Sequence, residues 1–197
     1  MNSNHKDYIM HLIEPFFSWR HYYIASEDPK SPFYGRVYSE VEFTHAIYNY
    51  FIHPQWDLFG SATLVSKVLY VNYEHEFAII ELLGEWNDIL YNDIMYLKNN
   101  LIDPMNRQGI KKFILIGENV LNFHSGDDDY YQEWEEDIEP EGYIFALSFR
   151  EHVIREFMQA DLDEIVCFPE FEDEIFNWRV YEPLQIKKKI ERRLISS

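Results

Sequence analysis

Residues 111–117, KKFILIG, decide the fold. The run is short and almost wholly apolar, the mark of a strand covered on both faces, as in a parallel sheet flanked by helices. Upstream, KVLYVNY (67–73) and EFAIIELLG (76–84), separated by Glu74 and His75, read as the two strands of a hairpin. Between hairpin and strand lies WNDILYNDIMYLKNNLI (86–102), where Trp86, Leu90, Ile94, Leu97 and Leu101 recur at helical spacing and Asn87 or Asp88 can cap the start. The doubled NDI at 87–89 and 92–94 has a spacing of five, so the two copies do not share a helix face, and it reads as coincidence. Pro104 suits the first turn of a short continuation and Gly109 its end.

Downstream, GYIFALSF (142–149) is another covered strand. Ser148 and Glu151 form an S-x-x-E box opening a helix with the stripe Val153, Ile154, Phe157 and Met158. DEIVCFP (163–169) is the last strand, and Pro183 starts a terminal helix. The class is therefore α/β, with a β-β-α-β-α-β-α-β-α core over residues 66–197 and a largely parallel sheet with right-handed crossovers.

Residues 1–65 form an N-terminal extension packed on that core. They hold 15 of the chain's 35 aromatic residues, interrupted at SEDPKSPFYG (26–35) and HPQWDLFG (53–60). One helix is expected in SEVEFTHAIYNYFI (39–52) and a second in DYIMHLIEPFFSW (7–19), so the extension is expected to be mainly helical. Its aromatic residues either cover the sheet or form a partner or homodimer surface.

The net charge of −18 opposes binding to nucleic acid or anionic lipid. It leaves open a basic protein partner, a cation or mere solubility, and of these a protein partner, basic in charge, is the one expected. No apolar run approaches the roughly 20 residues needed to span a bilayer, and the N-terminus lacks a basic start with an apolar block. A single cysteine, Cys167, lies in the apolar run EIVCF. It reads as a buried structural thiol in a reducing compartment, the cytoplasm. The tail PLQIKKKIERRL (183–194) concentrates Lys187, Lys188, Lys189, Arg192 and Arg193 near a helix end, where the dipole favours them, or where they can match an acidic stretch.

That acidic stretch is NFHSGDDDYYQEWEE (122–136). On a helix beginning near Asp128, Tyr130 or Tyr131, Trp134 and Ile138 share one face, and Asp129, Glu133 and Asp137 another. Asp127 or Asp128 can cap the start, which offsets the like-charge repulsion at i, i+4. No metal-binding spacing is present among the eight histidines, and three consecutive aspartates on a helix point about 100° apart, so they cannot chelate as a unit. Glycine-rich phosphate loops and a G-x-S-x-G elbow are absent, so neither a cofactor nor a metal is called for.

FILIG, then ENVLNF, then HSG at the mouth of a helix resembles the STAS fold of anti-sigma-factor antagonists. The β-β-α-β-α-β-α order over roughly residues 66–170 matches it as well. In that family a D-S-S-G-type loop carries a Ser or Thr reversibly phosphorylated by a partner kinase. Carried over residue by residue, His124 stands in the place of the first serine, Ser125 in that of the second, and Gly126 in that of the glycine. Phe123 replaces the preceding aspartate. The resemblance implies the fold; with His124 at the phosphorylated position and three aspartates after the glycine, it does not imply the phospho-switch. FILIGENVLNFH together with GEWND and NFHSGDDD also resembles a family of bacterial cytoplasmic proteins, a likeness that brings no activity with it.

The expected function is a non-catalytic protein-binding or regulatory module. Its interaction surface comprises His124, Ser125, Asp127, Asp128, Asp129, Glu133, Trp134, Glu136 and Asp137, together with the aromatic N-terminal region. An acidic inhibitor or immunity-type protein neutralising a basic enzyme is the alternative. The second alternative is a hydrolase with a composite site near His124, Ser125 and Asp127.

Overall fold

The computed structural model describes residues 9–10, 13–48, 50–169 and 174–196. The hairpin is β4 (Leu64–Asn72) and β5 (Phe77–Asn87), antiparallel with Leu64 opposite Gly84 and Asn72 opposite Phe77. Three parallel strands extend the sheet: β6 (Lys112–His124), β7 (Tyr143–Leu147) and β8 (Val166–Cys167), in the order β4-β5-β6-β7-β8. Three two-residue strands, β1 (Ile9–Met10), β2 (Ala46–Ile47) and β3 (Tyr50–Phe51), make a separate small sheet.

Alternation along the central strands sends side chains into two apolar layers. Ala78, Ile80 and Leu82 of β5 and Phe113 and Leu115 of β6 meet α2 (Asp93–Leu97), α4 (Asp129–Ile138) and α5 (Glu151–Gln159) through Ile94, Leu97, Trp134, Val153 and Phe157. Phe77, Ile79, Ile114 and Ile116 face the other way, onto Trp19, Trp178 and Ile186 and Ile190 of α6 (Pro183–Ser196). The basic tail thus lies on the opposite face of the sheet from the acidic α4, and the two are not matched within the molecule. Gly117 lets Phe149 seat against β6, since a Cβ there would fall 2.3 Å from the ring.

The N-terminal segment departs from the expected helices. Among the described residues 13–48 and 50–63 there is no α-helix. Successive turns replace it, such as Arg20 N–H to Phe17 O at 3.0 Å and Tyr22 N–H to Trp19 O at 2.8 Å. The described residues of 39–52 hold bends and the short strands β2 and β3, and Tyr48 has φ +55°, which no continuing helix tolerates. Part of 7–19 lies outside the described residues; Ile9–Met10 is a strand. Aromatic residues do what a helix face would have done: Phe16, Trp19 and Trp178 pack edge to face at 4.7–5.5 Å, while Phe33 and Phe59 enter the layer on the other face of the sheet.

Three elements of the core also differ from expectation. The expected 86–102 helix is broken: Trp86 belongs to β5, α1 spans Asp88–Tyr91, and Asn92 sits in the left-handed region (φ 51°, ψ 50°). Then α2 runs through a π turn (Lys98–Ile102) into α3 (Asp103–Asn106). At α5 the N-cap is Arg150, with no side-chain cap bond, and Ser148 lies two residues ahead at φ +59°, so the S-x-x-E box does not form. Met158 is exposed and lies off the buried stripe. Finally, β6 runs on through the expected connection to His124, pairing with β5 as far as Asn87 opposite His124, although β7 accompanies it only to Ile116. Side chains around α5 close that unaccompanied edge: Arg150 Nε donates to Glu118 O at 3.4 Å, His152 Nε2 to Leu121 O at 2.7 Å, and Phe123 N–H to Glu156 Oε2 at 2.8 Å.

Candidate functional site

The carboxyl ends of β5 and β6 lie side by side, and a reciprocal clamp shapes the chain leaving β5. Asp88 Oδ1 accepts from Ile94 N–H at 2.8 Å, and Asp93 Oδ2 accepts from Asn87 N–H at 2.7 Å. Each aspartate of the doubled NDI therefore holds the other copy's backbone. The repeat read as coincidence is the signal that locates this clamp. Asp88 also accepts from Trp86 Nε1 at 3.1 Å and from the Tyr131 hydroxyl at 2.8 Å, tying α4 to the junction. Asp93 takes Ser61 Oγ at 2.6 Å and Thr63 Oγ1 at 2.8 Å. Burial pushes the Asp88 carboxyl up to about 6 despite these donors, and raises Asp93 as well.

The clamp turns α1 outward. Ile89 and Leu90 are 67% and 72% exposed, and Tyr91 is exposed beside them. The 124–126 loop lies against the base of α1, where a Cβ on Gly126 would stand 3.2 Å from the Asp88 backbone. Tyr48, also exposed, donates to Glu85 Oε2 at 2.6 Å; that bond is the main cause raising its hydroxyl to about 12, with Tyr91 contributing through its charge. A cavity of about 290 Å³ adjoins, lined by Ile47, Tyr48, Tyr50, Leu83, Leu121 and Arg150 among others.

The expected site residues divide into three groups. His124, Asp127, Asp128, Asp129 and Glu136 are exposed and Ser125 half-buried, all in the loop or on the outer face of α4. Asp128 stands at the N-cap of α4 without a side-chain cap bond and instead accepts from Gln132 Nε2 at 2.6 Å. Trp134 is fully buried and packs edge to face on Phe113 at 5.3 Å, so it presents nothing to a partner.

Glu133 and Asp137 converge on Lys98, a lysine 1% exposed. Its ammonium stands 2.9 Å from Asp103, 3.0 Å from Asp137 and 3.5 Å from Glu133. Burial alone would lower the Lys98 pKa, but the aspartate hydrogen bonds and charges outweigh it and hold it above its ordinary value. These two carboxylates therefore help fasten α4 to the turn after α2. Sequence reading missed Lys98 because a lone lysine in a helical stretch reads as solvated.

The hydrolase arrangement is not assembled. Among the described residues no hydrogen bond joins His124, Ser125 and Asp127, and none of the three lines a principal cavity. Cys167 is half-buried, and burial raises its thiol pKa away from the reactive thiolate. Among the described residues no three His, Cys, Asp or Glu side chains cluster to hold a metal ion, and no helix is long and apolar enough to cross a membrane.

No family model matches the chain, and no curated protein does. Among solved structures it is similar to the anti-sigma factor antagonist SpoIIAA in its unphosphorylated form, at 17% identity and TM-score 0.43, over 59% of this chain and 98% of that one. It is also similar to the Bacillus cell fate determinant SpoIIAA in the phosphorylated form, at 13% identity and TM-score 0.37, over 59% of this chain and 99% of that one. The third is the protein TM1081, at 15% identity and TM-score 0.37, over 72% of this chain and 96% of that one.

Proposed function

We propose that this protein is a non-catalytic, regulatory binding module that docks a basic protein partner at the carboxyl ends of β5 and β6. The observation that carries the reading is the run Ile89–Leu90–Tyr91, turned to solvent on a helix whose first residue, Asp88, abuts Gly126, the residue that leads into the exposed Asp127, Asp128 and Asp129. An apolar centre with a charged rim is the anatomy of a docking surface. A net charge of −18 steers a cationic partner toward it. The neighbouring 290 Å³ cavity offers a place for one anchoring side chain. An inhibitor of a basic enzyme would use the same face, and differs only in that its bound partner loses activity.

The test is capture from native lysate with wild type and two variants, Leu90→Asp and the triple charge reversal Asp127→Lys, Asp128→Lys, Asp129→Lys. All four positions are exposed, so the fold should survive. The expected result is one basic partner, retained at low salt, weakened at high salt and lost with either variant. Retention by both variants, or no partner above background, overturns the reading. So does a concentration-dependent dimer by light scattering that Leu90→Asp abolishes, since the face would then belong to a second copy.

A further inference from the structure

Away from that face, a second cavity of about 240 Å³ lies beside Lys67–Leu69 of β4, just past the Asp57–Ser66 bridge at that strand's outer edge, and is covered by the N-terminal segment. Its walls include Phe16, Phe17, Tyr23 and Ile24. We propose that this cavity is a binding site for a small aromatic carboxylate, with Arg20 and Lys67 receiving the carboxylate and the aromatic side chains receiving the ring.

The argument is an account of donors and charges. Three neutral polar side chains at the cavity, Tyr23, Tyr38 and Gln55, are already committed, which leaves Ser26 as the neutral one outside this account. Tyr23 donates to Asp28 at 2.9 Å, Tyr38 donates to Asp57, and Gln55 accepts from Arg20 at 2.5 Å while donating to Ser39 O at 3.2 Å. The charged side chains that line the cavity are both cationic, Arg20 and Lys67. Arg20 stacks 3.9 Å over the Phe17 ring, and among the described residues no carboxylate pairs with it. Lys67, its side chain largely buried, lies 3.1 Å from Asp57 and 3.9 Å over the Tyr38 ring. Asp57 is shared with Arg36 at 3.3 Å, so one buried carboxylate answers two cations and Arg20 is left over. Glu14 and Glu40 share a neighbouring cavity with Arg20, but neither comes within ion-pair distance of it.

Desolvation lowers the Lys67 pKa against the opposing pull of Asp57, and the like charges of Arg20, on the same cavity wall, and of Arg36 add smaller pushes downward. A carboxylate between Arg20 and Lys67 relieves that repulsion. The planar guanidinium fork suits a planar carboxylate. The volume is below the roughly 300–1,000 Å³ of sites for drug-sized molecules, which limits the ligand to about one ring.

The experiment titrates the full chain by calorimetry with benzoate and phenylacetate, with benzamide as the neutral isostere and inorganic phosphate as the ringless anion. One of the two carboxylates should bind saturably with a Kd in the millimolar range or tighter, and benzamide and phosphate each at least about tenfold more weakly. Arg20→Gln, at an exposed position, should weaken carboxylate binding about tenfold without lowering the melting temperature. Equal binding of benzamide or phosphate overturns the proposal, as does unchanged affinity in Arg20→Gln or no binding of either carboxylate.

Discussion

Lys98 shows how a single residue can redefine a surface. A buried ammonium must find anionic oxygen, and here three carboxylates converge on it from α3 and α4. Removing one partner of a fully buried pair costs about 3–5 kcal/mol. The carboxylates around Lys98 are partly hydrated, at 24%, 42% and 58% exposed, which reduces the figure. Lys98→Met keeps the methylenes packed and deletes only the charge, so urea denaturation should show a loss of about 1–2 kcal/mol. Lys98→Glu, adding a fourth acid, should cost more. An unchanged midpoint for Lys98→Met would mean that Glu133 and Asp137 are as free for a partner as their exposure suggests.

At the scale of elements, the legible parts were those governed by local periodicity. The covered runs 111–117 and 142–149 supply β6 and β7, Pro183 does open α6, and the core is the expected α/β class with a five-stranded, mostly parallel sheet. The misread parts answer to distant partners. Residues 118–124 look like a connection because their alternation is weak, yet they continue β6 since β5 pairs with them and the side chains of Arg150, His152 and Glu156 bond their other edge. Of the candidate site, the acidic loop was legible in composition alone. Its apolar centre was not, because Leu90 falls on the expected core stripe, and only the aspartate clamp turns it out. The two views of 86–102 predict opposite signs for one substitution. In a continuous helix, Asn92→Ala would gain from Ala's better propensity. In the observed break, Ala must take φ 51°, so Asn92→Ala should cost about 1 kcal/mol by thermal or urea melting while Asn92→Gly is neutral or better.

Across the whole molecule, the net charge of −18 and the buried carboxylates pull stability the same way with pH. Glu81, 1% exposed in the central strand β5, accepts the Phe16 N–H at 2.8 Å, yet burial pushes it up to about 7. Asp88 sits at about 6 for the same cause. Between the ordinary carboxylate range near about 4 and these values, the folded state holds protons that the unfolded chain has released. Stability from these groups is therefore complete below the unfolded pKa and declines as pH rises through about 6 and 7. Denaturation midpoints should rise on acidification from about pH 8 to about pH 5.5, the reverse of a protein whose carboxylates are held low by salt bridges. Relief of surface repulsion gives the same trend, but salt screens it while barely reaching Glu81. In high salt the residual slope should shrink in Glu81→Gln, which keeps an acceptor for Phe16 and should exceed wild type by about 2 kcal/mol at about pH 8. Wild-type stability that is flat or climbs toward alkaline pH in high salt would mean that Glu81 is ionised inside the fold.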